Sequence, residues 1–433
     1  VESARIVVVT VGSEGDLFPF LALGQQLARR GHRVTVATHP VHQEAVERAG
    51  LTFARATDVP MPEDPEAFFA RAFHPLRGPR FVVRDLAADD VAASYALLLP
   101  ACRDADMVIT STLAFAGHIL GETLPVAWMS AALSPAVFIS AYDPPATGMR
   151  VLDHFFRASV RHGQWLRRTA ERVTAAWTAP VRAFRQTLGL PAVSASGDPF
   201  HGGQHARDGV LAMYSPLLGS ITPDMPAHTT ITGFCRRTGL PAALPAGLAH
   251  FLDAGSPPLV FTLGSVAVHA GEQFLRESLG AAKRLKRRAV LLTGSEAMTA
   301  RLGAQAVDVF VTEYAPHAPL FSRAAVVIHH GGVGTSQEAL RAGRPMLVVP
   351  HGFDQPDNAA RLVRLGVADV LPARRYRASR VVKKLGRLLD DEALTQRAHA
   401  FARVILREEG ASHAADAVES VLRRRQVRDS AMA

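Results

Sequence analysis

Residues 6–11, I-V-V-V-T-V, are continuously apolar and mostly β-branched, a pattern that suits a strand covered on both faces and therefore a parallel sheet with helices above and below. A Gly-containing turn follows. Phe20, Leu23 and Leu27 then recur at helical spacing as far as the helix stop Gly31, and residues 33–38 (R-V-T-V-A-T) read as a second strand. This is a βαβ crossover unit. Residues 51–56, 107–110 and 126–129 continue the alternation, and a second series begins at Leu259 (L-V-F-T-L-G-S) and returns at 289–293, 309–312, 325–329 and 346–350. The expected fold is therefore α/β, with two doubly wound units in one chain. A length of 433 residues with 48% hydrophobic content accommodates two cores, each of about 200 residues. The aperiodic, Gly- and Pro-containing stretch 234–247 (F-C-R-R-T-G-L-P-A-A-L-P-A-G) divides them. The expected organisation is 1–233, a linker at 234–247, and 248–433, with the terminal helix free to pack back on the first unit.

Composition removes several function classes. No run approaches the roughly 18 to 20 apolar residues needed to cross a bilayer, and the chain reads as soluble and cytoplasmic. Cys102 and Cys235 are isolated, neither a disulfide framework nor a metal-ligand spacing. The formal charge is +9, almost all of it arginine, with lysine confined to Lys283, Lys286, Lys383 and Lys384. The basic runs K-R-L-K-R-R at 283–288 and R-R-R at 423–425 lack interleaved aromatics, so they read as solvated helix faces rather than a nucleic-acid surface. An anionic membrane stays open to them as a peripheral contact, and oligomeric state is undetermined.

Gly12-Ser13-Glu14-Gly15-Asp16 follows the first strand, at the carboxyl edge where doubly wound sheets bind ligands. Asp16 has two readings: acceptor of a substrate proton, or cap of the helix that follows. The spacing is neither G-x-G-x-x-G nor a P-loop. His329-His330-Gly331-Gly332-Val333-Gly334-Thr335 lies between a buried strand and a helix. Close backbone approach, first-turn amides and the helix dipole make that an anion site, with His330 and Thr335 as added donors. One strand later, P-H-G-F-D-Q-P-D-N-A at 350–359 offers acid and amide groups to vicinal hydroxyls, or simply a helix cap. Gly264 and Ser265, after the strand at Leu259, can bring amides and a hydroxyl to the same anion. Asp104-Ala105-Asp106 resembles a metal-binding D-x-D but enters a strand instead of leaving one, and reads as a surface cap; no metal is expected.

Together these residues resemble the inverting UDP-glycosyltransferase family of GT-B fold, especially its bacterial members such as rhamnolipid rhamnosyltransferases and sterol, macrolide or flavonoid glycosyltransferases. The resemblance rests on V-V-T-V-G-S-E-G-D-L-F-P-F-L-A-L-G, on G-H-R-V-T-V-A-T-H, and on the stretch from Tyr314 through H-H-G-G-V-G-T to D-Q-P-D-N-A-A-R-L-V-R-L-G. It covers essentially the whole chain. It implies two Rossmann-like units facing a central cleft, the first binding a small, largely apolar acceptor (lipid, sterol, flavonoid or polyketide-like) and the second a nucleotide-sugar donor. By the same resemblance Tyr314 stands where the family has a base-stacking Trp, with His317 replacing Gln. His330, Gly332, Gly334 and Thr335 would cradle the diphosphate with Ser13, Gly264 and Ser265. Glu338 would hold ribose, and Asp354 with Gln355 the sugar. Asp16 would be the catalytic base without a His–Asp dyad, because residues 110–112 (T-S-T) carry no acid. Phe68, Phe73, Trp128 and Phe138 are candidate acceptor contacts. UDP-glucose is the preferred donor because Glu338 can meet two ribose hydroxyls; dTDP-rhamnose is the alternative. No cofactor beyond the sugar nucleotide is implied. An epimerase of the same fold and a non-catalytic binder are the rival classes.

Overall fold

A computed structural model describes residues 3–195, 197–236, 243–264, 271–302 and 308–432. Two parallel sheets carry the fold. The first has the order β3-β2-β1-β4-β5-β6-β7, from β1 (Arg5–Val9), β2 (Arg33–Thr38), β3 (Thr52–Arg55), β4 (Met107–Ser111), β5 (Ala127–Ala132), β6 (Gly209–Ala212) and β7 (Thr229–Ile231). The second runs β10-β9-β8-β11-β12-β13, from β8 (Leu259–Thr262), β9 (Ala289–Leu292), β10 (Val309–Thr312), β11 (Val326–His329), β12 (Met346–Val348) and β13 (Ala368–Val370). Both reverse strand order beside their first strand, at β1/β4 and at β8/β11, which opens a crevice at those carboxyl ends.

The unbroken apolarity of β1 has a direct cause. Ile6 and Val8 enter a core with Leu17, Phe20, Leu21 and Leu23 of the first helix (Glu14–Arg29), whereas Val7 and Val9 enter another with Phe115 and Ile119. Successive side chains point to opposite faces, and each face is covered. Strands β6, β7 and β13 were not anticipated. G-V-L-A, T-T-I and A-D-V are too short to carry a periodic signal. Asp106 Oδ2 accepts from Arg5 N at 2.7 Å, at the edge where β1 begins, so the D-A-D stretch closes a strand seam.

The terminal helix (Gly410–Met432) packs on the first sheet rather than the second. Ala414, Ala415, Val418, Val421 and Leu422 join the core of Ile6 and Phe20, and Arg30 bonds Asp416 at 2.6 Å and Glu419 at 3.2 Å. The chain thus passes twice between the halves. At the passage Glu408 accepts from Ser215 Oγ at 2.5 Å and from Phe234 N at 2.9 Å, and a Cβ on Gly410 would lie 2.5 Å from the Phe234 backbone. Of the expected linker, residues 237–242 lie outside the described residues.

Across the cleft the polar contacts centre on the helix Gln355–Arg364. Arg361, 2% exposed, bonds Asp357 of its own helix at 2.6 Å and reaches Leu218 O at 2.7 Å and the Asp143 carboxylate in the first half. Asp357, 1% exposed, also accepts from Ala146 N at 2.9 Å. Removing one partner of a buried pair leaves an uncompensated charge. Arg361→Met is therefore expected to cost about 3–5 kcal/mol of stability, measured by urea unfolding; a loss below about 1 kcal/mol would mean that water already screens the pair.

Candidate active site

The turn after β1 brings Asp16 to the cleft. Gly12 adopts φ 137, where L side chains are rarely found, and a Cβ there would collide with Asp16 Oδ2 at 2.4 Å. Asp16 sits in the first turn of its helix, and its Oδ2 accepts from Ser13 N at 2.8 Å and Ser13 Oγ at 2.9 Å. The capping geometry is thus real, and both bonds fall on one oxygen. Ser13, expected at the donor, has its hydroxyl engaged by Asp16 instead. Burial raises the Asp16 pKa, against the Ser13 bonds and a nearby His42, whose Nε2 lies 3.2 Å from Gly12 O.

Opposite, the loop after β11 feeds the helix Val333–Arg341, with Gly332 as its N-cap. His330 is wedged between two glycines: a Cβ on Gly264 would stand 2.5 Å from its Cε1, and one on Gly332 2.3 Å from its Nε2. Only glycine fits at either position. A Cβ on Gly334 would meet nothing within 4 Å, and the first-turn amides of Val333, Gly334 and Thr335 are unpaired within the helix by construction. His330 is buried and its Nδ1 has no partner among the described residues. Burial pushes His317 and His351 down to about 4 and His329 to about 3, and holds His330 low as well. These imidazoles are therefore neutral near pH 7. Ser265 lies outside the described residues.

The next loop carries Asp354. Asn358 Nδ2 donates to Asp354 Oδ2 at 2.8 Å and to Gly331 O at 2.9 Å, while its Oδ1 accepts from Ser134 Oγ of the first half at 3.2 Å. One amide thus ties both loops to the opposite wall. Burial, opposed by the Asn358 bond and reinforced by the charges of Asp16 and Asp357, pushes Asp354 up to about 6. That coupling puts Asp16 and Asp354 within electrostatic reach across the cleft. Gln355, expected on the sugar, accepts from His351 N at 2.8 Å and Gly352 N at 3.2 Å, so its oxygen shapes its own loop. Sequence reasoning missed Asn358, Asp357 and Arg361 as site residues. With Asp354 they recur at i, i+3, i+4 and i+7, a buried polar stripe where a surface helix would be apolar, and that was the available signal.

The remaining candidates separate. Glu338 has a buried Oε2 with no partner among the described residues, and burial raises its pKa against Arg236 and Arg341. Tyr314 is 57% exposed, and the adjacent His317 stacks on Phe321 at 4.6 Å. Phe73 meets Phe353 of the opposite half edge-on at 5.2 Å, whereas Phe68 packs against Phe69 and Phe81 within the first half. Phe138 stacks on His205 and lines a cavity of about 440 Å³ with Arg167, His201 and Asp224. Trp128 is a correction: it is 3% exposed, its Nε1 donates to Thr110 Oγ1 at 3.0 Å, and Gly121 abuts its ring, so it is core rather than acceptor wall. Cys102 and Cys235 are buried, with thiols pushed up to about 12. No described helix is long and apolar enough to cross a membrane.

Two doubly wound halves whose switch points face each other, one offering a carboxylate and the other a glycine-lined helix terminus, define a glycosyltransferase of GT-B fold. Residues 6–142 match the model of the glycosyltransferase family 28 N-terminal domain, and residues 278–419 that of the erythromycin biosynthesis protein CIII-like C-terminal domain. The chain is 31% identical to O-mycaminosyltylonolide 6-deoxyallosyltransferase of Streptomyces fradiae, over 96% of its own length and 97% of the relative's. It is 27% identical to a sterol 3-beta-glucosyltransferase of Arabidopsis thaliana, covering 95% of itself and 65% of that protein. The solved kitacinnamycin glycotransferase superposes with a TM-score of 0.72 at 22% identity, over 97% of this chain and 99% of that one. The chain belongs to the GT-B glycosyltransferases that combine these two domains.

Asp354 also predicts a pH effect. Its folded-state pKa lies above the ordinary 3.8, so between about pH 4 and 6 the native state binds more protons than the unfolded one, and stability falls as pH rises. Asp354→Asn should melt above wild type at about pH 7.5 and level with it below about pH 3.5. Equal melting temperatures at both pH values would show Asp354 to be freely solvated.

Proposed function

We propose that the enzyme inverts configuration as it moves a hexose from a nucleotide diphosphate to a hydroxyl of a small, largely apolar acceptor, with Asp16 as base. The carrying observation is the electrostatic coupling of Asp16 and Asp354 across the cleft, which supports a base in the first half working beside a sugar held by the second. The acceptor oxygen bonds to the anomeric carbon as the bond from that carbon to the diphosphate oxygen breaks, and the hydroxyl proton passes to Asp16. A carboxylate whose pKa is raised by burial is a stronger base once ionised. Charge building on the leaving diphosphate meets the amides of Val333, Gly334 and Thr335 and the His330 imidazole, rather than a divalent ion. Asp354 orients the sugar ring as it gains positive character.

A natural-product or sterol acceptor is supported by the relatives' names, one acting on O-mycaminosyltylonolide and another on sterols. The cavity beside Phe138 and the Phe73–Phe353 contact are the proposed acceptor walls. UDP-glucose is the first donor to test because the Glu338 carboxylate can serve two ribose hydroxyls. A dTDP-6-deoxyhexose is the second reading, favoured by the relative named for transferring 6-deoxyallose.

Asp16→Asn keeps an oxygen for the Ser13 bonds but no base. Turnover should drop about 10²- to 10⁴-fold with donor affinity nearly unchanged, as read by single-turnover kinetics and calorimetry. Near-normal turnover would reduce Asp16 to a cap. For the donor, UDP should bind wild type more tightly than dTDP by about ten- to a hundredfold, the worth of one charge-assisted hydrogen bond, and Glu338→Ala should erase most of that difference. Tighter dTDP binding by wild type would instead select the deoxysugar reading.

A further inference from the structure

We propose that His351 is a second diphosphate-binding imidazole, which holds the leaving group together with His330 and takes up a proton from solvent as the diphosphate binds. The inference rests on the glycosyl-transfer reading above. Strands β11 and β12 are adjacent and parallel, with His329 opposite Val348. The loops that leave their carboxyl ends therefore run side by side, His330 on one and His351 on the other. The second loop is firmly set. Gln355 Oε1 receives both His351 N and Gly352 N, and Phe353 is held at φ 57, a left-handed conformation that a phenylalanine adopts only where its surroundings impose it.

Nε2 of His351 and Nδ1 of His330 are both buried without a hydrogen-bond partner among the described residues. Two unmatched ring nitrogens at neighbouring loop ends are a standing cost. One lies on the loop that feeds the helix Val333–Arg341 and the other on the loop beside it. A ligand group with several acceptor oxygens, seated on the first-turn amides of that helix, would satisfy both rings at once, which is the chemistry of a diphosphate. His329 Nε2 also lacks a partner among the described residues, but its Nδ1 accepts from Gly331 N at 3.1 Å and the ring is wholly buried, so it serves the turn itself.

The electrostatics favour His351 as the ring that charges. The groups facing this corner are His317, His329 and His330, with Asp354 at the start of the next helix and Asp16 across the cleft. His330 is held neutral by burial and then by His329, His351 and His317, whereas His351 is held near 4 by burial alone. An adjacent diphosphate favours the charged form of an imidazole, and the ring opposed only by burial protonates first.

Calorimetric titration of UDP and dTDP, with uridine and thymidine as probes lacking the diphosphate, tests this in wild type, His351→Gln and His351→Leu. Two buffers of different ionisation enthalpy near neutral pH report the protons taken up. Wild type should take up protons with a diphosphate and none with a nucleoside. Both variants should bind the diphosphates about ten- to a hundredfold more weakly, lose most of the proton uptake, and bind the nucleosides as before. Variants that keep wild-type diphosphate affinity and proton uptake would overturn the role of His351 and leave the transferase reading standing. If wild type prefers neither diphosphate over its nucleoside, the donor-site reading falls, and this inference with it.

Discussion

The arrangement of the two halves depends on one buried guanidinium. Arg361 lies on the helix that follows the Asp354 loop, yet two of its three partners, Asp143 and Leu218 O, belong to the first half. A charge so fully withdrawn from water is tolerable only if its donors are matched, and the matching groups exist only when the halves are in register. Asp357 adds a second requirement, because it serves Arg361 and Ala146 N together. The cleft geometry is therefore held by directional polar contacts, which fix orientation, beside the apolar contacts of Phe73 with Phe353 and of Leu218 with the second core.

That registration is what makes a composite site possible. Asp16 and the His330 turn each stand at the carboxyl edge of their own sheet, at equivalent points of two similar windings, and neither alone can carry out a transfer. Asn358 converts register into chemistry by bonding Ser134 on one wall and both Gly331 O and Asp354 on the other. The neutral imidazoles fit the same logic. Neutral imidazoles leave the attraction for an anion to the fixed amides of the helix terminus.

How much of this was legible in the sequence follows from how each feature is encoded. Strand β1 and the His330 turn announce themselves because burial on two faces requires an unbroken apolar run and because His330 must sit against two glycines. Strands β6, β7 and β13 leave no periodic trace, being three or four residues long; their neighbours in the sheet define them. Trp128 shows the converse limit. An aromatic residue near a loop looks the same in sequence whether it lines a cleft or fills the space above Gly121, and only its register on β5, opposite Val108 of β4, decides. Asp16 resisted assignment for a different reason: capping and proton transfer call for the same residue at the same place, and the structure shows only the first.

The return of the terminal helix to the first sheet ties the order of synthesis to the order of assembly. Ala414, Ala415, Val418, Val421 and Leu422 complete a core whose other members lie largely between Ala4 and Leu51 and in strands β4 to β6. A ribosome adding about 5–20 residues per second needs roughly 10–40 s to travel from the last strand of that sheet to this helix. Throughout that interval the nascent first half presents an apolar face over its opening helix with nothing to cover it. The helix Gly410–Met432 thus acts as a clasp on the opening helix Glu14–Arg29, and the apolar face between them leaves water only when the two meet.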